Sequence, residues 1–254
     1  MKPIKLYPFN ADKSYFLSYG SKIADSDKTL DKFIKEAPAN IINARSDKRE
    51  LPFYVCAGVG NGAVYVDCAS TRFFFILEAP QTSSVINGLS TAYEKAIKRG
   101  EPLPDGIYNQ YSVKSGDSFA VSAGTPFMLG VGISYIEVYS SSGKLTSFDP
   151  DSSCRTAAAP LLKKPPFHNS ENGFSVEVLC TCSAFTAAKI GVVGEYKNKI
   201  TPSSFEFIFG LEGSATLKTA DDERKIGAGD CLLLPADMGE FSLTGGIEMI
   251  IVTR

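Results

Sequence analysis

The sequence predicts an all-β protein with a few peripheral short helices, and three observations carry that prediction. Short segments rich in β-branched and aromatic residues recur along the chain, with Gly, Pro, Asn or Asp in many of the gaps. Two brief stretches place apolar residues at helical spacing. The two halves also echo one another. VKSGDSFAVSAGTPFMLGVGISYIEV and KIGAGDCLLLPADMGEFSLTGGIEMIIV share a Gly-Asp pair, four mostly apolar residues, a small-residue turn and a Gly-containing turn into a final strand. Many short strands suggest a sandwich or barrel, and the echo suggests two copies of one β unit.

The elements follow in order. The opening MKPIKLYPFNADKSYF breaks at Pro3, Pro8 and Asp12, too soon for the apolar stretch of a signal peptide. In Lys28–Ala37, Leu30, Phe33, Ile34 and Ala37 recur at helical spacing after the candidate caps Ser26 and Asp27, and Pro38 stops the run. AVYVDCAS and TRFFFILEA read as strands. A second helix spans Thr91–Arg99, with Ser90 as N-cap and Gly100 just past its end. DSFAVSA and GISYIEVYS are strands again. Residues 140–172 hold several prolines and little alternation, which marks a connection between two β domains. GFSVEVLCTC, SSFEFIFGL, SATLKTA, DCLLLPA and IEMIIVT then complete a second β domain. The expected division is residues 1–150, a connector 151–172, and a smaller domain 173–254.

Composition narrows the function. With 26 basic and 28 acidic residues in 254, the chain lacks the broad positive field that nucleic acid or an anionic membrane would call for. No segment approaches the roughly 20 apolar residues of a membrane span. A cytoplasmic protein with neither kind of partner is expected. The single histidine, His168, excludes any mechanism needing several imidazoles, and its place in the Pro-rich connector favours a surface or linker role. Six cysteines without an export signal read as reduced thiols rather than a disulfide framework. Cys56 and Cys68 have no nearby histidine to activate them, so a nucleophilic-cysteine enzyme is rejected. Gly58-Val59-Gly60-Asn61-Gly62 lacks the Lys-Ser/Thr and helix of a phosphate loop and reads as a turn.

Taken in order, several segments resemble the class I mannose-6-phosphate isomerases. MKPIKLYP is similar to the family's opening strand, KTLDKFIKEAP to its early helix and LPFYV to the segment leading into the metal-bearing barrel. FFFILEAP, NGLSTAYEKAIKRG and SGDSFAVSAGTPFMLGVGISYIEVYSSS resemble the following strand, helical excursion and most recognisable block, and FSVEVL through LLLPADMGEF its second, metal-free cupin. The resemblance implies a double cupin, two jelly-roll β-barrels, with zinc as the cofactor and a sugar phosphate as the small-molecule partner.

The family's zinc ligands are a Gln and a His two apart on one strand, a Glu on the next, and a His after an Ala-Gly-Thr-Pro turn. The matching positions here are Tyr65, Asp67, Arg72 and Phe127. Phe127 has no lone pair, Arg72 carries a permanent positive charge and an un-ionised Tyr65 is a poor ligand, so no metal cofactor is expected. The position of the family's Lys after the LPFYV-like segment is taken by Cys56.

Strand alternation puts Tyr65 and Asp67 on one face, and Arg72, Phe74 and Ile76 on one face of the next strand. Three readings stay open. Asp67 and Arg72 pair while Phe127 and Phe74 fill the former metal cavity, making a structural or regulatory module. Alternatively Arg72, with Tyr65, Tyr139 and Lys114, binds a sugar or sugar phosphate. In the third, Asp67 or Glu137 acts as base beside Arg72 in an aldose–ketose isomerisation. Glu137 equally suits a solvent-facing strand position, the reading adopted here.

Overall fold

A computed structural model describes residues 2–10, 13–102, 104, 106–148, 168–171 and 173–254. From the N-terminus these form β1 (Ile4–Tyr7), β2 (Phe9–Asn10), β3 (Ser14–Leu17), β4 (Lys22–Ile23), α1 (Leu30–Glu36) and β5 (Phe53–Val59). There follow β6 (Tyr65–Asp67), β7 (Arg72–Glu78), β8 (Ser84–Leu89), α2 (Thr91–Arg99), β9 (Tyr108–Ser112), β10 (Ser118–Val121), β11 (Phe127–Leu129), β12 (Ser134–Ser140) and β13 (Leu145–Ser147). The last part holds β14 (His168–Glu171), β15 (Phe174–Thr181), β16 (Thr186–Val192), β17 (Glu195–Ile200), β18 (Glu206–Thr219), β19 (Glu223–Gly227), β20 (Cys231–Leu234) and β21 (Gly239–Thr253). The fold is all-β with two short helices.

Internal contacts gather the chain into two units. One joins the described residues of Met1–Val55 with those of Pro165–Arg254; the other holds those of Cys56–Lys164. The first 55 residues, expected in the first barrel, are thus grouped with the C-terminal strands. The cause is long-range pairing: β1 lies antiparallel to β20, with Leu6 opposite Cys231. The segment after α1 is also stitched to the C-terminal strands, since the Phe205 amide donates to the Ile42 carbonyl and the Ala236 amide to that of Ile41. Phe53 stacks on Phe205 with ring centres 5.2 Å apart. The apolar centre of this unit includes Ile190, Leu217, Leu232, Leu243 and Met249. The expected connector 151–172 lies outside the described residues except for β14, which pairs with β15 and brings His168 opposite Glu177.

In the other unit, β10, β7, β12 and the part of β5 from Cys56 onward are consecutive neighbours in one sheet, and β13, β6, β11, β8 and β9 in a second. Their inward faces meet in an apolar cluster of Phe74, Ile76, Val85, Phe119, Phe127, Ile133 and Tyr135. Of the Gly58–Gly62 stretch, expected as a turn, Gly58 and Val59 end β5 and only the following residues leave the strand, with Gly62 at φ +76° and its amide donating to the Leu129 carbonyl.

The echo seen in the sequence is an echo in geometry. Before β10, Asp117 accepts from the Lys114 amide at 2.9 Å; before β20, Asp230 accepts from the Gly227 amide at 2.9 Å. Gly116 and Gly229 adopt φ +84° and +80°. The Ile76 amide donates to the Asp117 carbonyl just as the Gly210 amide donates to that of Asp230. These matched bonds make Ile76 and Gly210 equivalent, and hence, four residues earlier, Arg72 and Glu206.

Candidate functional site

The site is built on β6, β7 and β12. Antiparallel register sets Tyr139 opposite Arg72, Glu137 opposite Phe74 and Tyr135 opposite Ile76. Directly paired residues share a face of a sheet, so Arg72, Phe74, Ile76, Tyr135, Glu137 and Tyr139 all point the same way. That face is the interior one, because Phe74, Ile76 and Tyr135 belong to the apolar cluster. From the other sheet β11 brings Phe127 opposite Tyr65 and, on its other side, opposite Asn87.

Three charged side chains meet where the hydrocarbon ends. Arg72, Asp67 and Glu137 are 3%, 2% and 1% exposed. Arg72 Nε donates to Asp67 Oδ2 at 2.9 Å and its Nη2 lies 2.8 Å from the same oxygen. Its Nη1 donates to Glu137 Oε1. The guanidinium carbon stands 4.5 Å from the centre of the Tyr139 ring, a cation–π contact. Asp67 also accepts from the amides of Ala69 and Ser70 and from the Ser70 hydroxyl, while Cys56 Sγ lies 3.5 Å from Glu137 Oε2 as a donor. Glu137, read from sequence as solvent-facing, is therefore interior. Arg72 accounts for this: a buried guanidinium needs carboxylate partners, and β12 supplies one.

The electrostatics follow the contacts. Burial pushes the Asp67 carboxyl up, but the Ala69 amide, the Ser70 hydroxyl and the Arg72 guanidinium outweigh it and hold it below its ordinary value. Burial disfavours charge on Arg72, yet Glu137 and Asp67 together raise its pKa above the ordinary value. Asp67 and Arg72 are thus both held in their charged forms. The turn after β12 closes over them. A methyl group on Gly143 would come within 2.5 Å of Ser70 Oγ and 2.7 Å of Asp67 Oδ2, so only a residue without Cβ fits there unless its neighbours shift.

The other candidate residues fall differently. Phe127 packs on Phe74 with ring centres 5.2 Å apart, and Phe74 also meets Phe119 and Tyr135. The partly buried Tyr65 hydroxyl accepts from Asn61 Nδ2. Lys114 is exposed in the turn before β10, its amide bound to Asp117. Cys68 is disulfide-bonded, which corrects the expectation of six reduced thiols, while Cys56, Cys180, Cys182 and Cys231 are not in disulfides. Sequence reasoning missed Asn87 and Thr125, both buried beside Phe127 in the chain or across the ladder, with Asn87 Oδ1 and Thr125 Oγ1 lacking hydrogen-bond partners among the described residues. Asn87-Gly88, part of the segment that resembles the helical excursion, lies in β8, with Gly88 at φ +88°.

Zinc, the cofactor the resemblance implies, does not match this donor set. Of the four corresponding positions Phe127 offers hydrocarbon and Arg72 a fixed positive charge. The Asp67 carboxylate is already bound by Arg72, Ser70 and two amides. Among the described residues no group of three or more His, Cys, Asp or Glu side chains is placed to hold a metal ion. The C-terminal strands carry a separate groove of about 580 Å³, lined by Lys197, Asn198, Lys199, Lys218, Glu240 and Phe241.

Repeated antiparallel β units with a polar cluster at the inner face of one of them fit an all-β, cupin-like fold. Comparison with known proteins narrows this further. Residues 175–254 match the family model "Mannose-6-phosphate isomerase, cupin domain". Mannose-6-phosphate isomerase ManA of Bacillus subtilis (strain 168) is 24% identical over 206 residues, covering 73% of this chain and 64% of the relative, so the match spans less than two thirds of that protein. The solved Bacillus subtilis mannose 6-phosphate isomerase superposes with a TM-score of 0.79 at 18% identity, covering 100% of both chains. The Salmonella typhimurium enzyme, solved with f6p as substrate and with zinc, gives 0.73 at 11% identity over 99% of each chain. The family model over the C-terminal strands, the relative and the shared fold all make this chain similar to the mannose-6-phosphate isomerases.

Proposed function

We propose that this chain is a mannose-6-phosphate isomerase-like cupin that does not perform zinc-dependent isomerisation and acts as a structural or regulatory interaction module. The observation that carries this reading is the Arg72 guanidinium held between Asp67 and Glu137. An isomerase of this kind needs a base free to take a proton and a cation free to stabilise an enediolate oxygen. Here the candidate bases and the candidate cation neutralise one another, and Phe74, Phe119, Phe127 and Tyr135 fill the space beside them. Purified protein should show no turnover of mannose 6-phosphate in a coupled assay, with added zinc or with chelator. Zinc-dependent turnover would overturn the reading.

The C-terminal groove favours a second reading, retention as a sugar or sugar-phosphate binding protein. Three lysines beside amide and hydroxyl groups suit an anionic polyhydroxy ligand. Lys197 and Lys218 also pair with Glu195 and Glu223, so a ligand would compete with those exposed contacts. Saturable binding of mannose 6-phosphate or fructose 6-phosphate, weakened by Lys199→Ala, would favour this reading over the first.

A further inference from the structure

We propose that Arg72 is a built-in cation that fastens the two sheets of the 56–148 unit together, in the structural place a bound metal ion would take. The inference rests on the reading that this barrel works without zinc and adds what stands in its stead.

Asp67 ends β6 in one sheet, whereas Arg72 and Glu137 belong to β7 and β12 in the other. The guanidinium therefore joins the sheets through Asp67 and neighbouring strands through Glu137. A metal ion would cross-link such strands by drawing several anionic donors to one centre. A guanidinium does so with its planar fork, whose donors point in set directions toward separate acceptors. Both Asp67 oxygens and both Glu137 oxygens accept hydrogen bonds: Oδ1 from Ala69 and Ser70, Oδ2 from Ser70 and Arg72, Oε1 from Arg72 and Oε2 from Cys56. Tyr139 covers one face of the cation and the Gly143 turn lies against Asp67. Such satisfaction is what a buried ion cluster requires if it is to be tolerated at all. A lysine ammonium is a point charge and cannot span both carboxylates in this way.

The test is thermal unfolding of the full chain as wild type, Arg72→Ala and Arg72→Lys, each alone, with chelator, with zinc, and with methylguanidinium or methylammonium as a probe of the vacated space. The wild type should unfold at one temperature in chelator and in zinc. Arg72→Ala should lose about 10 °C in Tm, because two buried carboxylates are left without their cation. Methylguanidinium should restore part of that loss, methylammonium less, and neither should raise the wild type. If Arg72→Ala does not fold, Arg72→Lys carries the test: it should fold with a lowered Tm, and a value equal to wild type would overturn the fork argument. An unchanged Tm in Arg72→Ala would overturn the proposal, as would equal responses of variant and wild type to methylguanidinium. So would a zinc-induced rise in wild-type Tm that Asp67→Asn abolishes. Isomerase turnover by a wild type whose Tm obeys these expectations would overturn the functional reading alone.

Discussion

Glu206 lies within the C-terminal strands at the position equivalent to Arg72, and it shows what a buried charge costs without a counter-charge. Asn198 donates to its Oε1 at 3.2 Å, while Oε2 is buried with no hydrogen-bond partner among the described residues. Burial raises its pKa to about 7, against the opposing pull of Asn198. The unfolded carboxyl ionises near its ordinary 4.5, so between these values the unfolded chain holds fewer protons than the folded one. Stability is therefore fully present below pH 4.5 and is lost as pH rises toward and through 7, by about 3 kcal/mol at most. Glu206→Gln should remove this loss, so that urea unfolding midpoints of variant and wild type agree below pH 4.5 and the variant is more stable above pH 7. Equal pH slopes would count against the assignment. At this scale the sequence was partly legible. Arg72 and Asp67 could be read as a buried pair, because strand alternation is local. Glu137 could not be placed, because its interior position depends on the register of β12 against β7, 65 residues away from Arg72 in the chain.

Elements were the most legible level, since their signals lie in adjacent residues. The second helix runs Thr91–Arg99, with the Ser90 hydroxyl accepting from the Tyr93 amide and Gly100 at φ +66° beyond it. The first is shorter than expected. It begins at Leu30 after Thr29, and Ser26 instead accepts from the Lys28 amide in the preceding turn. The repeated turn gives a paired prediction. After β10 the Thr125 amide donates to the Ser122 carbonyl with Gly124 at φ +79°, and after β20 the Met238 amide donates to the Pro235 carbonyl with Asp237 at φ +63°. One left-handed position thus carries Gly in one copy and Asp in the other. Gly124→Ala should cost about 1 kcal/mol or more, and Asp237→Gly should be neutral or stabilising by up to about 1 kcal/mol. Denaturant midpoints of the two variants test this, and a stable Gly124→Ala would argue that the turns are not equivalent.

For the whole molecule, the sequence does not say which distant strands pair. The pairing of β1 with β20 spans more than two hundred residues, and neither strand's composition names its partner. It has a measurable consequence. Cys231 is buried opposite Leu6, and burial pushes its thiol up to about 12, which keeps it unreactive. Removing residues 1–10 uncovers that edge of β20, so Cys231 should react with a thiol reagent at native conditions in the truncated chain and stay protected in the full one. Equal protection in both would mean that β1 contributes little to closing the sheet. No helix among the described residues is long and apolar enough to cross a membrane.

The cluster around Arg72 also bears on which neighbouring sequences are reachable by single substitutions. Replacing Arg72 alone strands Asp67 and Glu137, and replacing either carboxylate alone strands part of the guanidinium; breaking a buried pair in this way costs about 3–5 kcal/mol. A domain's whole stability is about 5–15 kcal/mol, so most such one-step variants lie near the edge of folding. A path from this chain to one with an open metal-binding barrel must therefore change several interior positions together, Phe127 among them. The ion cluster thus acts as an adaptive valley, separating this chain from sequences of the same fold whose interior is open to a metal ion.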